Sequence, residues 1–166
     1  MKLIPIKCSQ GNILEQFPEF STIWKSPYHE QFVEATNDYI RDPDDSEILL
    51  IQNDNSDIVG ITGWWPITHN IAGLRWHGIV PHVRGDGISS RAMLMLVNRL
   101  KRSKFQPYSY TSLVEICGSQ NTANYFIKLG FVENNDGEFR NMVIESCGGD
   151  IGESIILVLH FGNENK

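Results

Sequence analysis

The sequence predicts an α/β domain with a mixed sheet, and three observations carry that prediction. Short apolar runs alternate with amphipathic stretches along the chain, without repeats or low-complexity linkers. A polar turn, Asn53 to Asp57, joins two of the runs in the manner of an antiparallel hairpin. A glycine-rich turn, Arg84-Gly85-Asp86-Gly87-Ile88-Ser89, stands between a strand-like run and a strongly helical one. With 166 residues, 41% of them hydrophobic, the chain reads as one domain, residues 1–166, large enough to bury a proper core.

Taken in order, Leu3 to Lys7 reads as a first strand, followed by a helical region from Asn12. Ser26 as N-cap and Pro27 at the first helical position open a helix whose Phe32, Val33, Thr36, Tyr39 and Ile40 recur on one face, with Pro43 just past its end. Glu47 to Gln52 and Ile58 to Trp65 are the hairpin strands, and Gly73 to Val80 continues the sheet. Ser90 to Arg102 is a helix with Met93, Leu94, Val97 and Leu100 on its apolar stripe. Tyr108 to Ile116 reads as a strand and Asn121 to Lys128 as a helix; Met142 to Ser146 and Ser154 to Phe161 are closing strands around Gly148-Gly149-Asp150.

The glycine-rich turn is where chemistry first shows. A turn of this kind opening a helix presents unpaired backbone N–H groups at the positive end of the helix dipole, so phosphate oxygens can be bound without side chains. Gly85 and Gly87 permit positive φ and close approach of a ligand. No Lys follows Gly87, which excludes the nucleoside triphosphate P-loop. A dinucleotide fingerprint belongs in the first βαβ unit with an acidic residue ending the next strand, whereas this loop lies mid-chain.

What remains is Arg84, Gly87 and Ser89, with Pro81 three residues before Arg84. That spelling resembles the coenzyme A loop of the GNAT superfamily of acyl-CoA-dependent N-acetyltransferases. A second match is Asn121-Thr122-Ala123-Asn124-Tyr125-Phe126-Ile127-Lys128-Leu129-Gly130-Phe131, which is similar to the family's Asn-led helix ending in Lys-x-Gly-Phe. The two motifs stand in the family's order and spacing, and the likeness runs from Ile48 to about Phe131. The chain departs from the pattern in three places. Ser89 replaces the usual Gly or Ala; Ser119 competes with Asn121 for the helix start; and Phe126 stands where many members carry a Tyr, with Tyr125 beside it. Neighbours on a helix point about 100° apart, which separates Tyr125 from that spot.

The resemblance implies a mixed, mostly antiparallel sheet with a central splayed parallel strand pair, formed by Gly73 to Val80 and Tyr108 to Ile116, and helices on both faces. It implies acetyl-CoA as cosubstrate and no metal. The diphosphate would rest on the segment Arg84, Gly85, Asp86, Gly87, Ile88, Ser89 and Ser90, and Asn121 would contact the pantetheine or simply cap its helix. Ile79 and Val80 would supply a backbone N–H to the thioester oxygen. An alkyl ammonium has a pKa near ~10.4, so freeing its lone pair at neutral pH costs on the order of 4 to 5 kcal/mol, and a base is expected. Glu115, which interrupts the apolar alternation of its strand, is the first candidate, against the alternative of a surface glutamate. His77 is the second, against a merely packed histidine. Tyr125 is the available acid for the departing thiolate, or else a ring packing its helix. Arg84 either approaches phosphate or is solvated at the loop mouth. Trp64-Trp65 would wall an acceptor pocket or lie in the core.

The formal net charge of −6 argues against nucleic acid and is consistent with a cationic amine acceptor, small molecule or peptide. Cys8, Cys117 and Cys147 are odd in number and in no metal-ligand spacing, which suggests reduced thiols and a cytoplasmic setting. Cys117 as an acyl carrier has no His adjacent in sequence, so a buried, inert thiol is the plainer reading. Pro5 and Lys7 interrupt the first apolar run, which does not read as a signal peptide, and no stretch approaches membrane-spanning length. A homodimer is left open, because nothing in the residues reads out oligomeric state. The expected activity is acetyl transfer from acetyl-CoA to a primary amine by direct attack in a ternary complex; the alternative is an acyl-CoA-binding module without turnover.

Overall fold

The structure, a computed structural model, describes residues 1–6, 11–42, 45–102 and 109–161. Its strands are β1 (Lys2–Pro5), β2 (Glu47–Gln52), β3 (Ile58–Pro66), β4 (Ile71–Leu74), β5 (Gly78–Ile79), β6 (Ser112–Cys117), β7 (Val132–Glu133) and β8 (Ile155–His160). The helices are α1 (Ile13–Gln16), α2 (Tyr28–Arg41), α3 (Ile88–Arg102), α4 (Gln120–Lys128) and α5 (Gly137–Cys147). The α/β class is as expected, with antiparallel pairings except for the parallel pair β4 and β6. None of the described helices is long and apolar enough to cross a membrane. The chain divides into two compact units: Met1–Trp64 with Arg75–Leu96, and Trp65–Leu74 with Val97–Lys166.

In the first unit β1, β2, β3 and β5 pair antiparallel in that order. The unbroken apolar run Ile48 to Ile51 makes β2 buried on both faces, as a central strand should be. The β2–β3 turn closes on itself: Asp57 N–H donates to Asn53 Oδ1 at 2.9 Å and Asn53 N–H to the Asp57 carbonyl at 2.9 Å. Helix α2 buries Phe32, Thr36 and Ile40, four residues apart and so on one face. Its start differs from expectation. Pro27, after a cis Ser26–Pro27 bond, takes the N-cap position, and no side chain caps the helix. Pro43 and Lys7 lie outside the described residues. The core gathers Phe20, Phe32, Ile48, Ile51, Ile61 and Val80, with Trp24 and Trp76 packed against it.

The strand expected from Gly73 to Val80 is two strands. Arg75 to His77 separates β4 from β5, and Trp76 has φ +49°, a left-handed conformation that ends extended pairing. In the second unit β4 pairs β6 from Ile71↔Ser112 to Gly73↔Val114, while β6 runs on to Cys117 against β8. Tyr108 lies outside the described residues, and β6 begins at Ser112. One face of this sheet holds Val114, Ile156 and Val158 under Phe139, Met142 and Val143 of α5.

Helix α5 overturns the strand expected at Met142 to Ser146. Asp136 caps it, its Oδ1 accepting from Phe139 N–H at 2.8 Å, and Gly148 ends it at φ +69°. Helix α3 begins two residues earlier than expected and buries Ala92, Met93, Leu96, Val97 and Leu100, whereas Leu94 is 61% exposed. Trp64 is in the core, with its Nε1–H donating to Glu47 Oε2 at 2.9 Å, so it walls no pocket. The Trp65 ring lies against Gly73, where a Cβ would come within 2.3 Å of it.

Candidate functional site

The loop that follows β5 is built by local rules. Pro81–Val83 makes one tight turn, with Val83 N–H bonding the Val80 carbonyl at 3.3 Å and Arg84 N–H the Pro81 carbonyl at 3.2 Å. Gly85 (φ +99°) and Gly87 (φ +69°) then reverse the chain. A Cβ at either would meet nothing within 4 Å, so backbone conformation, rather than lack of room, requires glycine. Arg91 N–H takes the Gly87 carbonyl at 3.0 Å, which fixes the start of α3 immediately after the loop. The first-turn amides of this 15-residue helix therefore face out of its N-terminal end, where an anion is favoured.

Arg84 is exposed at the loop, yet its guanidinium turns back onto the chain. Its Nε–H donates to the Ile79 carbonyl at 2.9 Å and an Nη to the Ile23 carbonyl at 3.1 Å, tying the loop to β5 and to the chain before α2. The two backbone donors expected to face a thioester oxygen are distinguished by register. Val80 N–H bonds the Val59 carbonyl at 2.9 Å and is thereby engaged, so that expectation fails for Val80. Ile79, opposite Gly60, then occupies the non-hydrogen-bonded position of the ladder, and its N–H points away from β3.

His77 lies between these groups. Its Nδ1 is 3.0 Å from Thr62 Oγ1 on β3 and its Nε2 is 2.7 Å from Ser89 Oγ in the first turn of α3. Burial pulls the imidazole down to about 4, so it is neutral at physiological pH. Ser89 therefore turns its hydroxyl to His77, a contact the sequence did not reveal. Thr62, fully buried, was also missed; its signal was a lone hydroxyl within an apolar strand.

In the second unit Glu115 faces Leu157 across β6 and β8, and burial pushes its carboxyl up to about 8. Cys117, two residues on and on the same face, is pushed up to about 12 by burial and then by Glu115, which makes it inert as a nucleophile. Ser119 wins the competition for the start of α4: its Oγ accepts from Thr122 N–H at 3.3 Å, while Asn121 lies inside the first turn. Phe126 is buried against Phe131, ring centroids 5.3 Å apart, and Tyr125 is 37% exposed. The first unit thus brings together His77, Ile79, Val80, Arg84, Gly85, Asp86, Gly87, Ile88, Ser89 and Ser90; Glu115, Asn121 and Tyr125 belong to the second. Among the described residues no cluster of His, Cys, Asp and Glu is arranged to hold a metal ion.

The same fold recurs in solved structures of low sequence identity. A chimera of the spermidine N-acetyltransferase SpeG from Vibrio cholerae and hSSAT superposes with TM-score 0.62 at 14% identity, covering 97% of this chain and 96% of that one. A GNAT family acetyltransferase from Elizabethkingia anophelis with acetyl-CoA bound gives 0.60 at 15% identity over 96% and 97%. The N-acetyltransferase PseH of Campylobacter jejuni gives 0.56 at 13% over 96% of each. No curated protein matches the sequence. The model of the acetyltransferase (GNAT) family matches residues 14–131, which take in the loop, α3, β6 and α4, and the chain belongs to that family.

Proposed function

We propose that the protein is an N-acetyltransferase that moves an acetyl group from acetyl-CoA to a primary amine, by direct attack within a ternary complex. The observation that carries this reading is the turn at Gly85 and Gly87, whose left-handed backbone delivers the chain into the start of α3. The matched stretch includes parts of both units, which supports reading the chain as one such domain.

Acetyl-CoA supplies an acyl group already activated as a thioester. The loop amides and the first turn of α3 would hold its diphosphate, with Arg84 keeping the loop closed on β5. Ile79 N–H, turned away from β3, suits an oxygen that gains negative charge during attack. Glu115 would accept the ammonium proton; a carboxyl raised to about 8 is a far stronger base than an ordinary one, at the cost of being mostly protonated at neutral pH. Tyr125, on the exposed side of α4, would return a proton to the leaving thiolate. Likeness to spermidine N-acetyltransferases and the net charge of −6 favour a cationic amine as acceptor. The free thiols of Cys117 and Cys147 agree with a reducing, cytoplasmic compartment.

Calorimetric titration with acetyl-CoA, on the wild type and on Gly87→Glu, tests the reading. Saturable binding to the wild type that Gly87→Glu abolishes, followed by thiol release with an amine panel, is the expected result. Binding without thiol release across the panel would favour a non-catalytic acyl-CoA module. A folded wild type that binds no acetyl-CoA would overturn both.

A further inference from the structure

We infer that Arg84 is a positioning residue for acyl transfer: by holding the Ile79 and Ile23 carbonyls together, its guanidinium fixes the direction of the Ile79 N–H that faces the thioester oxygen. This inference rests on the acyl-CoA reading above, and every protein group in it belongs to the first unit. The ladder supplies the first observation. Val80 N–H bonds the Val59 carbonyl, which leaves Gly60 and Ile79 as a non-hydrogen-bonded pair; in such a pair the N–H and C=O of one residue both point away from the partner strand. Arg84 Nε–H reaches that Ile79 carbonyl at 2.9 Å. The guanidinium therefore lies along the same open edge of β5 as the Ile79 N–H.

Packing closes the other directions. From β3, a Cβ at Gly60 would come within 2.4 Å of the Gly78 carbonyl oxygen and 2.8 Å of Ile79 Cδ1, so the two backbones are in direct contact. From one face, a Cβ at Gly78 would lie 2.4 Å from Ile23 Cγ2 and 2.6 Å from the Trp24 ring. The second arm of Arg84 bonds the Ile23 carbonyl at 3.1 Å and seats this segment on the Gly78–Ile79 peptide. One planar, rigid guanidinium makes both bonds, which an ammonium on a flexible stem does not reproduce. Attack by the amine nitrogen moves the carbonyl electron pair onto the thioester oxygen, before the C–S bond breaks and its pair leaves on sulfur. A donor set in place beforehand stabilises that oxygen without reorganising during the reaction, and Arg84 provides this through Ile79. Standing immediately before Gly85, it also ties the anion-binding turn to the amide.

The test compares wild type, Arg84→Ala and Arg84→Lys, each shown to be folded by circular dichroism. Two readouts are taken: the infrared spectrum of bound acetyl-CoA labelled with ¹³C at the thioester carbonyl, and calorimetric titration with coenzyme A. In the wild type the bound carbonyl should absorb at lower frequency than in free acetyl-CoA, as a polarising N–H donor requires. Arg84→Ala should lose about half of that shift or more, while its dissociation constant for coenzyme A stays within about 3-fold of wild type. Arg84→Lys keeps the charge without the paired bonds and should resemble Arg84→Ala; it carries the test alone if Arg84→Ala does not fold. An unchanged carbonyl frequency in either folded variant would overturn the inference. So would a salt-dependent loss of coenzyme A affinity in Arg84→Ala that Arg84→Lys restores, the mark of a phosphate contact. A wild-type carbonyl absorbing where the free thioester does would overturn it together with the role of Ile79. Failure of the folded wild type to bind acetyl-CoA would fall instead on the acyltransferase reading.

Discussion

Replacing Glu115 with Gln removes a titration that the fold opposes. Burial moves the carboxyl from its ordinary 4.5 to about 8. Between those values the unfolded chain has released the proton and the folded one retains it, so the slope of unfolding free energy with pH is negative and stability falls as pH rises. Below the ordinary value both states are protonated and the effect vanishes. At about 1.4 kcal/mol for each pH interval of one, wild type should lose roughly 4 kcal/mol relative to Glu115→Gln between about pH 5 and about pH 9. Urea denaturation of both proteins at those two values reads the difference directly, since every other titrating group is common to them. Parallel stability profiles would refute the buried, protonated carboxyl. The same variant separates stability from chemistry. If Glu115 is the base, wild-type kcat/KM climbs toward pH 8, and Glu115→Gln is more stable at high pH yet loses turnover, a trade expected of a functional group kept in a hostile setting.

Two further substitutions probe the frame around the site. Ser119→Ala should cost about 1 kcal/mol of stability by removing the cap of α4, while Asn121→Ala leaves the melting temperature nearly unchanged; the reverse order in thermal denaturation would restore Asn121 as the cap. Gly73→Ala should destabilise the second unit by roughly 1 to 3 kcal/mol, because its Cβ would meet the Trp65 ring at 2.3 Å, and tryptophan fluorescence should shift with it.

Features set by adjacent residues were legible in the sequence. The β2–β3 hairpin, the glycine turn and the helix that follows it depend on φ preferences and periodicity within a few positions; the first two are where the residues indicate, and α3 differs only in starting two residues earlier. Long-range features were not. The contiguous apolar run Met142-Val143-Ile144 looks like a strand, but Asp136 and Gly148 set the ends of a helix and Phe139, Met142 and Val143 share one face of it. The division of Gly73 to Val80 depends on β4 choosing β6 and β5 choosing β3, a decision made by partners far along the chain. That choice also decides which of Ile79 and Val80 has its N–H committed to Val59. His77 was legible as a candidate by type, yet its two hydroxyl partners sit 15 and 12 residues away and become visible only once register is known.

The left-handed residue at Trp76 makes the short stretch from Trp76 to Ile79 sensitive to any change in length. Side chains on a strand alternate faces, so inserting or deleting one residue between Trp76 and Ile79 would exchange the orientations of His77 and Ile79 with those of their neighbours. The imidazole would leave Thr62, and the amide now turned away from β3 would turn into it. Divergence in this segment should therefore proceed by substitution alone, with insertions and deletions confined to loops elsewhere.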